Sequence, residues 1–159
     1  MYRFFGGLGN DVLSGGAGND RYVFNLGDGI DTIRDSVAPG EGNEILFGTG
    51  ITADMLSLGV APAPFGVGTV LAIRVGAAGD EIHFDPFDPN DAYGTHGVDS
   101  FRFVDGTVLA YQQLIDRGFD LVGTADDDVL EGTNATDRFV GGAGNDCQKF
   151  AVDRVLVQV

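Results

Sequence analysis

Cysteine is almost missing: Cys147 stands alone, which excludes a disulfide framework and a thiolate metal cluster. Basic side chains are few, 9 against 24 acidic ones, leaving a formal net charge of -15. Nucleic acid and anionic membrane surfaces repel such a chain, so neither is expected as a partner. No apolar run is long enough for a transmembrane helix. The start, from Met1 to Gly7, has no stretch suited to a secretory signal. Glutamate is also scarce: of the 24 acidic residues 20 are Asp and 4 are Glu. Charge cannot explain that bias, whereas turn geometry and short-armed ligation can.

What the chain has instead is glycine, 26 residues of it. Gly with Asp, and without richness in Pro or Ser, reads as tight bends beside carboxylates rather than as a flexible linker. The 43% hydrophobic content allows an ordinary core.

The bends recur. Residues 6–14 read GGLGNDVLS and 15–23 read GGAGNDRYV. Later, 123–131 reads GTADDDVLE, 132–140 reads GTNATDRFV and 141–149 reads GGAGNDCQK. Asp11 and Asp20 share a nine-residue spacing with Asp128, Asp137 and Asp146. Looser copies continue the first block. Gly27-Asp28-Gly29-Ile30-Asp31 keeps the pattern, and Gly42-Asn43-Glu44-Ile45 keeps it with Glu for Asp. Each unit is a glycine-rich bend followed by a very short strand whose apolar residue faces a narrow core. Such a bend turns carbonyl oxygens towards one point, and its Asp adds a carboxylate there. Calcium takes six to eight oxygens, which two stacked bends can supply and one cannot. Glu overshoots this geometry, which weakens Glu44 as a ligand.

The middle has another texture. Leu71, Ile73 and Val75 share one face of a strand, Ile82 and Phe84 alternate with Glu81 and His83, and Phe101 and Phe103 flank Arg102. A short helix is predicted over 110–117, stopped by Gly118. A single capped turn is predicted at Thr52–Leu56, and a loop over 85–99. His83 is placed on the wet face of its strand. Neither histidine sits in a His-Glu-x-x-His arrangement, and no nucleophile elbow or phosphate loop occurs.

GGLGNDVLS, GGAGNDRYV and GGAGNDCQK resemble the RTX, or haemolysin-type, calcium-binding nonapeptide repeats. The middle resembles the haemolysin-type calcium-binding-related region found between such blocks. The resemblance implies an all-β fold. Parallel β-roll blocks at 4–47 and 121–159 would flank a small β-rich middle at 48–120 with a short helix. It implies Ca2+ bound between one bend and the next on the same side. The metal-site residues carried over are Gly6, Gly7, Gly9, Asp11, Gly15, Gly16, Gly18, Asp20, Gly27, Gly29 and Asp31. In the second block they are Asp128, Asp137, Gly141, Gly142, Gly144 and Asp146. Asp126 and Ala135 replace the bend glycine there, and Gln148 replaces a core residue, so the last coil is expected to be weak. The resemblance further implies a secreted, extracellular bacterial protein, exported by type I secretion machinery and folding on calcium outside the cell. No catalytic constellation is visible. The alternative is the C-terminal secretion and folding part of a secreted protease, lipase or polysaccharide-modifying enzyme, with this chain a fragment of it.

Overall fold

The computed structural model describes residues 1–36, 38–64, 66–94 and 96–150. Residues 151–159 of the second expected block lie outside the described residues.

The first block winds as a roll. Strands β1 (Arg3–Phe5), β3 (Arg21–Phe24) and β5 (Glu44–Phe47) lie side by side in one sheet, whereas β2 (Val12–Leu13) and β4 (Ile30–Ile33) lie in the opposite one. All neighbours in the block are parallel. The strands are short because a bend follows each after two to four residues. Their inward side chains, Tyr22, Phe24, Ile33, Ile45 and Phe47, are buried. In the outermost coil Phe4 and Leu13 are only partly covered.

The middle then departs from the winding. Strands β6 (Leu56–Pro62), β7 (Thr69–Val75) and β8 (Asp80–Phe87) form an antiparallel meander. β8 pairs in parallel with β4. Strand β9 (Ser100–Arg102) returns to the first sheet beside β5 and pairs antiparallel with β10 (Val108–Ala110). Helix α1 (Tyr111–Ile115) follows, with Leu114 and Ile115 buried; the chain leaves it through Gly118, whose φ is +83°. Strand β11 (Phe119–Val122) joins β6 and carries β13 (Asp137–Val140) on its other side. Strands β12 (Val129–Glu131) and β14 (Cys147–Lys149) form a separate parallel pair.

One sheet of seven strands, in the order β13-β11-β6-β7-β8-β4-β2, thus runs from the first block through the meander into the second. Leu71, Ile73 and Val75 are fully buried, and so are Val70 and Ala72 on the other face, because β7 is central and covered on both sides. The two sheets meet through aromatic rings, Phe84 against Phe101 at 6.2 Å, and within the five-stranded sheet Phe47 stacks on its lateral neighbour Phe103 at 4.8 Å. β14 is exposed throughout, Gln148 included.

Three local expectations fail, the first in part: the loop expected over 85–99 begins as strand, since β8 runs on to Phe87, and holds a 3-10 turn at Pro89–Asp91. His83 is buried, not on a wet face, and its Nε2 lies 2.8 Å from Glu81 Oε2; the sheet is packed on both sides there. Thr52 precedes a 3-10 turn at Ala53–Met55 without capping it by its side chain.

Candidate metal centre

The bends stack because their strands are in register. Val12 lies beside Thr32, which places Asp11 next to Asp31. The Asp11 N–H donates to Asp31 Oδ1 at 3.1 Å. The same bond recurs one coil apart elsewhere. Tyr2 N–H donates to Asp20 Oδ1 at 2.7 Å, and Asp128 N–H to Asp146 Oδ1 at 3.1 Å. The asparagines stitch the coils in the other direction: Asn10 Oδ1 accepts from Ile30 N–H and Asn19 Oδ1 from Gly42 N–H. The Gly-Asn-Asp triplet therefore has a structural reason beyond its turn preference.

The glycines divide into two kinds. Gly7, Gly9, Gly16, Gly18, Gly27, Gly29, Gly142 and Gly144 have positive φ, where a Cβ is costly. Gly6, Gly15 and Gly141 are required for space instead. A Cβ on Gly6 would stand 2.7 Å from Asp31 Oδ2, one on Gly15 would stand 2.5 Å from Asp20 Oδ2, and one on Gly141 would meet the Asp146 carboxylate. Each complete bend is a cradle with a carboxylate beneath its first glycine.

In the first block those carboxylates are left short of partners. Asp20 is 0% exposed and Asp31 1%. Asp11 Oδ2, Asp20 Oδ2 and Asp31 Oδ2 are buried with no hydrogen-bond partner. Buried carboxylate oxygens are ordinarily paired, so these three are what a cation would satisfy. Burial pushes the Asp31 carboxyl up to about 6, with the charges of Asp11 and Asp28 adding to it against the opposing Asp11 N–H bond. Among the described residues no group of three or more His, Cys, Asp or Glu side chains converges. The residues fit calcium, then, only in the bend manner, with one or two carboxylates and the remaining oxygens from backbone carbonyls.

The second block is closed differently. Asp128 Oδ2 accepts from Thr124 N–H at 2.6 Å and from its hydroxyl at 3.0 Å. Asp137 accepts from Thr133 N–H and Thr133 Oγ1, both at 2.8 Å. Each threonine stands where the complete repeat has its second glycine and binds its own Asp. The register brings Asp128 to Asp146, whereas Asp137 lies in β13 beside Phe119. Burial also raises the Asp137 carboxyl.

The sequence pattern misassigns one position and misses others. Glu44 does not occupy the Asp position of its coil. The register sets Arg21 beside Glu44, so Asn43 lies beside Asp20. Glu44 bonds Arg102 at 2.8 Å and Arg21 at 3.2 Å. The missed members are Asn43, Asp80 and Asp99. Asp80 accepts from Gly27 N–H at 2.8 Å and Gly29 N–H at 3.2 Å, and Asp99 Oδ2 accepts from Asn43 N–H at 2.9 Å. Each stands two residues before a buried side chain, Ile45, Ile82 or Phe101, as Asp31 stands two before Ile33. That offset was the available signal.

The family described as the RTX calcium-binding nonapeptide repeat matches residues 3–33 and 120–146, in four copies. No curated protein matches the chain. The chain carries RTX calcium-binding repeats in two regions, on an all-β fold whose parallel coils form a β-roll.

Proposed function

We propose, with RTX repeats in two regions as the premise, that this protein is a calcium-binding module whose first block is its principal metal site. The observation that carries this reading is the trio of buried, unpartnered carboxylate oxygens on Asp11, Asp20 and Asp31. A bound calcium supplies the positive charge that lets buried carboxylates and bend carbonyls lie close together. The protein's own residues do the rest. Asp31 and Asp20 fix the spacing of neighbouring coils through their Oδ1 bonds, and Gly6 and Gly15 leave room for the carboxylates. The second block is the weaker site, because Thr124 and Thr133 already occupy two of its three carboxylates, Asp128 and Asp137.

A chain of charge -15 with buried carboxylates is poorly stable without metal, so calcium binding contributes folding free energy. This supports a secreted protein that stays loose where calcium is low and folds outside the cell, with type I export machinery as its partner. The module itself is structural rather than catalytic.

The test is calorimetric titration of calcium into the whole chain. Asp20→Ala should weaken binding at least tenfold, corresponding to the loss of roughly one charge-assisted contact. Asp91→Ala, in the loop after β8, should leave it unchanged. Equal effects of the two substitutions refute the assignment.

A further inference from the structure

The bend ladder contains one amide where the pattern calls for a carboxylate. Asn43 is 0% exposed. Its Oδ1 accepts the Asp20 N–H at 2.8 Å, the same bond that Asp31 makes to Asp11. The second oxygen of Asp31 is buried and unpartnered, but the corresponding atom of Asn43 is a nitrogen with two acceptors. Nδ2 donates to the Gly97 carbonyl at 2.9 Å and to Asp35 Oδ2 at 3.1 Å. The same Asp35 oxygen accepts the Tyr22 hydroxyl, which in turn accepts Gly15 N–H at 2.9 Å. Only one orientation of the amide satisfies these bonds, since its oxygen must face a donor and its nitrogen two acceptors.

We propose that Asn43 is an internal surrogate for a cation. Its amide nitrogen supplies to Gly97 and Asp35 the positive end that calcium supplies between the Asp11 and Asp31 bends, so this coil closes without metal. The inference rests on the calcium reading of the first block and adds to it. The roll is metal-dependent between Asp11 and Asp31 and at the Asp20 carboxylate, which faces Tyr2, and metal-independent between the Asp20 N–H and Asn43. The network also explains why Asp35, outside every repeat, is held between a tyrosine and an asparagine. A carboxylate at position 43 would face the Asp35 carboxylate and the Gly97 carbonyl with nothing positive between them, an arrangement that demands a cation.

The experiment uses the whole chain. Bound calcium is counted by equilibrium dialysis with elemental analysis, and melting is followed in chelator and in millimolar calcium. Asn43→Asp should take up one more calcium per chain and melt about 5 °C or more lower in chelator. Most of that loss should return with calcium. Asn43→Ala should melt lower in chelator while its calcium count equals that of the wild type. If Asn43→Asp does not fold in chelator, its count in calcium and the Asn43→Ala pair still decide. A wild-type chain that takes up no calcium overturns the reading of the first block. A wild-type chain that takes it up, with Asn43→Asp adding none or Asn43→Ala losing one, overturns this inference alone.

Discussion

Asp31→Asn should stabilise the protein without calcium and impair it with calcium. The Asp31 carboxyl is moved from 3.8 to about 6, first by burial and then by Asp11 and Asp28. Below about pH 4 the native and unfolded states both hold its proton, and the group costs nothing. Between about pH 4 and pH 6 the native state keeps a proton that the unfolded state has lost, so stability falls as pH rises. Above pH 6 the full cost, about 3 kcal/mol, is present. Asn removes this charge and keeps the oxygen that accepts the Asp11 N–H. Its new N–H₂ forfeits part of the gain if it finds a poor acceptor, so the net effect is about 1–3 kcal/mol. In a chain of this size that raises the chelator melting point by about 2–10 °C at pH 7. The gain should shrink towards zero at pH 4. In millimolar calcium the sign reverses, because the substitution removes a ligand from the stabilising site. The assay is a set of thermal melts at pH 4 and pH 7, with chelator and with calcium. A lower melting point for the variant in chelator at pH 7, or an equal gain in calcium, refutes the reasoning.

Chelation should remove only part of the far-UV β signal, because the meander contributes buried apolar residues, Leu58, Leu71, Ile73, Val75 and Ile82, that need no metal. Magnesium should restore it poorly, since it prefers a tight octahedron and keeps its waters; complete loss on chelation, seen by circular dichroism, contradicts this. Phe101→Ala should cost about 3–5 kcal/mol in denaturant titrations with or without calcium, because Phe101 is fully buried where the two sheets meet. Asp146→Ala should weaken calorimetric calcium binding less than Asp20→Ala, since Asp146 lies in a partly exposed coil ending in an exposed strand.

The bends and the inward residues were legible because both are local. A Gly-Gly-x-Gly-Asn-Asp string sets its own backbone, and the apolar residue two places after the Asp faces the core: Leu13, Tyr22 and Ile33 show it. Glu44 misled because Gly-Asn-Glu-Ile resembles Gly-Asn-Asp-apolar by eye, whereas the strand aligns by its buried residues, Ile45 and Phe47, and these select Asn43. Asp80 and Asp99 were hidden for another reason. Their strands follow no Gly-Gly-x-Gly string, and the pairings that bring them to the ladder, β8 with β4 and β9 with β5, join segments roughly fifty residues apart. No periodicity within one segment encodes such a partnership. The seven-stranded sheet that crosses all three sequence regions was invisible on the same ground.

The meander has a consequence for the order of assembly. Strands β6, β7 and β8 pair with their immediate neighbours in the chain, so they close short loops over long registers and should organise early. Once formed, they present two unfilled borders, β8 on one flank and β6 on the other, and these are the borders that receive β4 and β11. The repeats then have a seed to grow from. Growth spreads outward both ways, coil upon coil, as expected for a solenoid whose units touch only their neighbours. On the calcium reading, the outermost coils should form last and fray first, with metal supply setting how far the growth extends.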